Sequence, residues 1–289
     1  MSKNGHHENV LPGKFEVPSS AKTLYSVCMF IGVLTMGLGF WKYTDRTWHA
    51  FLVAFFYFLC LGLGGLFFAA IQHITNAGWS VNIRRLAESF TAFLPFAAVG
   101  AVVLVLGSGH LYEWLDSAKV AEDALLTAKS AYLNKPFFVV RLAVYFVMWV
   151  WFAKILVGNS LKQDKTGDEE LTHKNVKASI PFLITFALSF SLFSVDVIMS
   201  LEPHWFSTIF GIYCFSGLFH STIAAIIVLA IYLQNLGLLK GLVNENHMHD
   251  LGKFLKAFCV FYAYIAFSQF MLIWYANLPE ETIFYMPRV

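Results

Sequence analysis

The chain has 289 residues, of which 58% are hydrophobic and 13% charged, where a soluble domain carries roughly a quarter charged residues. That balance excludes an ordinary soluble fold. A net charge of +2 gives no electrostatic case for nucleic acid, and none is expected as a partner.

The first 20 residues, MSKNGHHENVLPGKFEVPSS, are polar and contain two prolines. They lack a short apolar core with a small-residue cleavage site, so no cleaved signal is read. They are expected to form a cytoplasmic segment in which His6 and His7 are solvated rather than metal-binding. The rest, 21–289, reads as one all-α transmembrane domain. Runs long enough to cross a bilayer, about 20 residues each, fall near 21–41, 48–75, 86–107, 136–157, 178–201, 206–233 and 254–277. With the N-terminus inside, thirteen Lys and Arg fall on the inner side and seven on the outer, so the positive-inside rule puts the N-terminus in the cytoplasm.

That orientation places 108–135 outside. Its stretch LDSAKVAEDALLTAKSAYL sets Val120, Leu125, Ala128 and Leu133 between charges, the pattern of an amphipathic helix lying over the bundle. The inner loop KQDKTGDEELTHKNVK is charged and solvated, and no chemistry is assigned to it. Cys28, Cys60, Cys214 and Cys259 lie in apolar runs and form no C-x-x-C or iron–sulfur spacing. No metal site and no cofactor held by this chain are expected.

Ionisable groups at membrane depth are costly and usually face partners or water. His73 and Glu88 flank a short inner turn with Arg84 and Arg85. Arg141 and Asp196 lie at similar depth near the outer face, where they can neutralise each other. His220 falls near the middle of its span, and Glu202 and His204 flank Pro203 at the outer boundary. Each has a plain alternative: His73 can be solvated at the interface, Glu88 can be a first-turn carboxylate favoured by the helix dipole, and Arg141 can snorkel. Taken together, they read as a proton pathway. His73 and Glu88 would load from inside, His220 would relay, and Asp196, Glu202 and His204 would release outside, with Arg141 as partner to Asp196. Ser189, Ser191, Ser216, Ser221, Thr222, Tyr264, Ser268 and Gln269 would order the intervening water. The outer cluster reads equally as a quinol head-group site, with Asp196 and His204 as polar groups and Trp205, Phe206 and Phe210 as flat walls.

Three segments, HITNAGWSVNIRRLAESF (73–90), DVIMSLEPHWFSTIFGIYCFSG (196–217) and FCVFYAYIAFSQFMLIWYANLPEET (258–282), carry a family resemblance. They resemble the second polysulfide-reductase-like (NrfD-like) membrane subunit of bacterial alternative complex III, a quinol:cytochrome c or quinol:acceptor oxidoreductase. The resemblance implies a transmembrane bundle in the bacterial inner membrane without a redox centre of its own, and menaquinol or ubiquinol as the complex's substrate. It implies as partners a sister NrfD-like subunit, an iron–sulfur protein, multihaem and monohaem cytochrome c subunits and a terminal oxidase, the clusters and haem c being held by those subunits. Proton transfer is the role it implies for this chain. Members of the family continue past the PEET loop with further helices, so a C-terminally shortened or truncated chain is expected.

Two other readings remain open at this stage. A secondary transporter would break matching helices around a midplane site, and Gly62, Gly64 and Gly65 offer such a break in the second span. A passive scaffold would use the polar groups only to hold helices together.

Overall fold

A computed structural model describes residues 17–286. The polar segment with His6 and His7 lies outside the described residues up to position 16. The described chain is all α-helical apart from short 3-10 turns: α1 (Ser19–Lys42), α2 (Thr44–Ile74), α3 (Val81–Phe90), α4 (Leu94–Leu111), α5 (Ser117–Glu122), α6 (Ala124–Lys129), α7 (Lys135–Thr166), α8 (Glu170–Val197), α9 (Phe210–Asn235), α10 (Glu245–Ala276) and α11 (Pro279–Thr282). Through 3-10 links, α3 and α4 form one run, Gly78–Leu111, and seven runs are long and apolar enough to span a membrane. The protein is thus a multi-pass membrane bundle.

Local signals set the ends of the helices. Asn134 caps α7 by accepting from the Phe137 amide at 3.0 Å, and Gly167, at φ +67°, ends it. Asn244 and His247 form a reciprocal capping box at the start of α10. The third span begins at Gly78 instead of 86, so Glu88 lies well inside a helix. The first-turn reading of Glu88 is therefore corrected: the dipole at the helix start is too far away to explain it.

α2 is the central helix, packed against α3, α4, α8 and α9. It is continuous through Gly62, Gly64 and Gly65. These glycines permit close approach instead of breaking the helix: a Cβ on Gly65 would lie 2.3 Å from the Ala87 carbonyl oxygen, and one on Gly64 would lie 2.8 Å from Thr222 Cβ. The feature that favoured a transporter is thereby lost. α1 crosses α2 where Gly39 meets Thr47, and none of its residues is buried.

The segment 112–134 forms a lid over one end of the bundle. Trp114 and Leu126 are buried, and Val120 and Leu133 pack on the core. The expected amphipathic helix is present as two short ones, α5 and α6, separated at Asp123, whose side chain accepts from the Leu125 amide at 2.8 Å and the Leu126 amide at 3.2 Å. The lid end is called the lid face below, and the opposite end, with Arg84 and Arg85, the arginine face.

Gly65→Val should lower stability in detergent by about 1–3 kcal/mol through overpacking against the α3 backbone. Gly37→Ala, where a Cβ meets nothing within 4 Å, should stay within about 0.5 kcal/mol of the parent. Thermal unfolding followed by circular dichroism compares the two.

Candidate functional site

Asp196, 1% exposed, sits one residue before the end of α8. Arg141 Nε donates to its Oδ2 at 2.9 Å, the Tyr145 hydroxyl donates to the same oxygen at 3.0 Å, and the Tyr132 hydroxyl donates to Oδ1 at 2.8 Å. The expected pairing of Arg141 with Asp196 is present and fully internal. Arg141 also donates to the Tyr132 carbonyl at 3.0 Å. Its guanidinium carbon lies 3.9 Å from the Tyr132 ring centre and 4.4 Å from that of Phe137. Burial, then the Asp196 charge, push the Tyr132 hydroxyl up to about 12, so it stays protonated and remains a donor. Tyr132 belongs to the lid, which therefore closes over the pair.

At the arginine face, Glu88 is 5% exposed. Arg85 donates to its Oε2 at 2.7 Å, and Ser160 on α7 reaches both of its oxygens at 2.9 Å. Arg84 Nε stands 3.7 Å from Oε1. Arg85 also pairs with Asp164 and donates to the Ser160 carbonyl at 2.6 Å. His73, 2% exposed, has its Nε2 3.4 Å from the Asn175 amide nitrogen, while its Nδ1 has no partner. Asn175 in turn donates to the Leu156 carbonyl at 3.0 Å.

Both clusters hang on α7. Arg141, Tyr145, Trp149, Phe152, Leu156 and Ser160 are all buried on that helix, at the three- and four-residue spacing of one face. From Arg141 to Ser160 is nineteen positions, or about 28 Å of rise. Partway along, Trp149 Nε1 donates to Ser189 Oγ at 3.0 Å. Between Ser189 and the buried, unpartnered hydroxyl of Ser179, Phe182 and Phe186 close the gap; Phe152 packs on Phe182 at 5.4 Å between ring centres. The two polar ends are therefore separated by a dry aromatic layer.

The other expected site residues lie elsewhere. His220 does not join either cluster: it is half-buried on the flank of α9, lining a groove with Tyr25, Tyr57 and Phe90. Most of the expected water-ordering hydroxyls bond back to their own helix, as Ser191, Ser216, Ser221 and Thr222 do; Ser189 does so too, to the Phe186 carbonyl at 3.4 Å, and also accepts from Trp149. Tyr264 is 64% exposed.

The residues of the quinol reading are not all brought together. Asp196 is sealed on the α7 side, Phe206 is exposed at 61%, and His204 turns to Asp123 on the lid, Nε2 to Oδ2 at 2.5 Å. Of that set, Trp205 and Phe210 line the neighbouring lid-face cavity of about 720 Å³, which His49, Glu202, Tyr213 and Tyr262 also line. The Tyr213 and Tyr262 hydroxyls meet at 3.0 Å, and the buried Trp205 Nε1 has no partner. These residues turn inward because α9 restarts at Phe210 and packs along α10. Among the described residues, no three or more His, Cys, Asp or Glu side chains gather as a metal site.

Tyr132, Tyr145, Trp149, Asn175 and Ser160 were not identified from sequence. The usable signal was helical spacing: Tyr145 follows Arg141 by four positions, and Ser160 continues the same face. A scan against protein-family models and a search of curated proteins found no match to this chain.

Two outcomes follow from this geometry. Asp196→Leu should cost about 3–5 kcal/mol, because it strands a buried guanidinium, and adding Arg141→Met should recover part of that loss; denaturant unfolding of the single and double variants measures both. The lid latch should respond to acid. The hydrogen bond from His204, followed by the Leu126 amide, holds Asp123 below the usual carboxylate range. A carboxyl lowered in the folded state contributes its hold above its unfolded value of about 3.9 and loses it as pH falls through the folded value. Hydrogen-exchange protection of α5 and α6 should drop below about pH 4. Asp123→Asn, which keeps the cap oxygen, should remove that pH dependence.

Proposed function

We propose that this chain conducts protons as a membrane subunit of a quinol-oxidising respiratory complex, of the alternative complex III kind that its segments resemble. The observation that carries the reading is a pair of buried carboxylates, Asp196 and Glu88, at opposite ends of one helix face on α7. The span between them nearly matches the hydrocarbon thickness of about 30 Å. Redox centres belong to the partner subunits, namely the sister NrfD-like subunit, the iron–sulfur protein and the haem c subunits. In this orientation the arginine face is cytoplasmic, in the bacterial inner membrane.

A proton is taken up at His73 and Glu88, where a cavity of about 390 Å³ reaches His73 from the arginine face. It crosses the Phe152, Phe182 and Phe186 layer only when that layer admits water. It then passes Ser189 and Trp149 to Tyr145 and Asp196, and leaves beneath the lid by Tyr132. Arg141 holds Asp196 in a direct pair at 2.9 Å, so accepting a proton there requires the pair to loosen. The dry layer prevents a leak, which a coupled conductor requires. His220 lies off this route.

In liposomes containing the assembled complex, Asp196→Asn and Glu88→Gln should each lower protons moved per electron at least tenfold. His220→Leu should leave the ratio unchanged, and Phe186→Ala should raise passive leak. Unaltered coupling in both carboxylate variants would sink the proposal.

The lid-face cavity favours a second role, a quinol head-group site built from Trp205, Tyr213, Tyr262, His49 and Glu202. The buried Trp205 Nε1 without an acceptor supports it, since such a donor is normally satisfied. Trp205→Phe should then raise the KM for quinol several-fold with little change in kcat, while an unchanged KM counts against it.

A further inference from the structure

The cavity at the arginine face has donors that the bundle itself does not use. Its wall includes Gln72, His73, Gly78, Arg84, Thr172 and His173. The Asn175 amide faces His73 Nε2 and so leaves the proton on Nδ1, a buried N–H with no acceptor. Arg84 is only 15% exposed at its side chain, and its nearest recorded carboxylate is Glu88 at 3.7 Å from Nε, beyond hydrogen-bond reach. Glu88 is already satisfied by Arg85 and Ser160. Gly78 on the same wall opens a three-residue 3-10 turn, Gly78–Ser80, whose Ser80 amide already donates to the Ala77 carbonyl at 3.2 Å. A Cβ on Gly78 would meet nothing within 4 Å, so that wall of the cavity is open.

We infer that this cavity binds a phosphate group, carried either by an anionic lipid head or by a small soluble anion. Two kinds of donor line it, the Arg84 guanidinium and a buried imidazole N–H, a combination that suits a phosphate oxyanion. The one carboxylate on the wall, Glu169, is exposed at the rim, where water screens it. A volume of about 390 Å³ exceeds what a single water-sized ion needs and accommodates a head group. The inference does not rest on proton conduction, and binding is read without any transport assay.

The test uses the purified full chain. Its melting temperature is followed against inorganic phosphate in detergent, and against phosphatidylglycerol in nanodiscs of zwitterionic lipid. A saturable rise of several degrees with at least one probe is expected. A response to phosphate in detergent identifies a soluble anion as sufficient, and a response to phosphatidylglycerol alone identifies a lipid head group. Arg84→Gln should weaken binding at least tenfold, and Lys253→Gln, an exposed cation of the same face on α10, should leave it unchanged. His173→Gln alters an exposed rim side chain, should weaken binding several-fold, and carries the test if Arg84→Gln does not fold. No saturable shift with either probe, or equal weakening by Arg84→Gln and Lys253→Gln, overturns the inference.

Discussion

An ionised carboxylate inside a membrane bundle must be neutralised and fully hydrogen-bonded, and Asp196 is the residue on which this requirement falls hardest. Leaving such a charge unpaired costs more than the bundle can absorb, so the positions of several elements follow from it. Arg141 and Tyr145 fix the rotation of α7 against α8. Tyr132 ties the lid to the same carboxylate, and Tyr112 adds a second tie by donating to the Val197 carbonyl at 3.0 Å. The lid is therefore held by polar contacts to the end of α8 as well as by the burial of Trp114 and Leu126.

The seam between α7 and α8 alternates between chemistries that do not mix. Its ends are carboxylates with their donors, and its centre is aromatic. In a low dielectric, the polar ends are strong because both carboxylates are fully engaged, with Arg141 Nη2 and His73 Nδ1 left as donors without a partner. The centre is dry because Phe182 and Phe186 pack with tilted rings 5.5 Å apart between centres and leave no polar atoms for water to bridge. A stable bundle needs both properties, and so does a conductor that must not leak. The structure alone is compatible with a scaffold in these respects. What a scaffold does not account for is an unpartnered His73 Nδ1 and a cavity leading to it.

Much of the architecture was legible in the sequence because hydropathy reports span length directly. The Arg141–Asp196 pair was legible too, since depth can be counted along a helix and two opposite charges at one depth have strong reason to meet. Helix starts were less legible. Arg84 and Arg85 look like turn residues in sequence, yet they lie inside the helical run that begins at Gly78, where Glu88, Asp164 and the Ser160 carbonyl satisfy Arg85. The tyrosine donors were missed because aromatic residues are common in every span of this chain, and composition does not mark the ones whose hydroxyls carry a hydrogen bond.

His220 shows where such reading stops. It lies near the middle of α9, where a buried imidazole facing the bundle centre would be a natural relay. But depth is an axial coordinate, and the side chain's azimuth is set by which face of α9 packs inward. Leu218, Phe219, Thr222 and Ile223 fill that face, with Thr222 drawn against Gly64. His220 is thereby rotated toward the groove beside α1 and toward the Tyr262 ring, 6.4 Å away between centres. The glycine that permits α2 and α9 to approach each other is thus what fixes the imidazole's direction. One small residue on a neighbouring helix determines whether an ionisable group faces the interior, and periodicity within α9 alone does not contain that information.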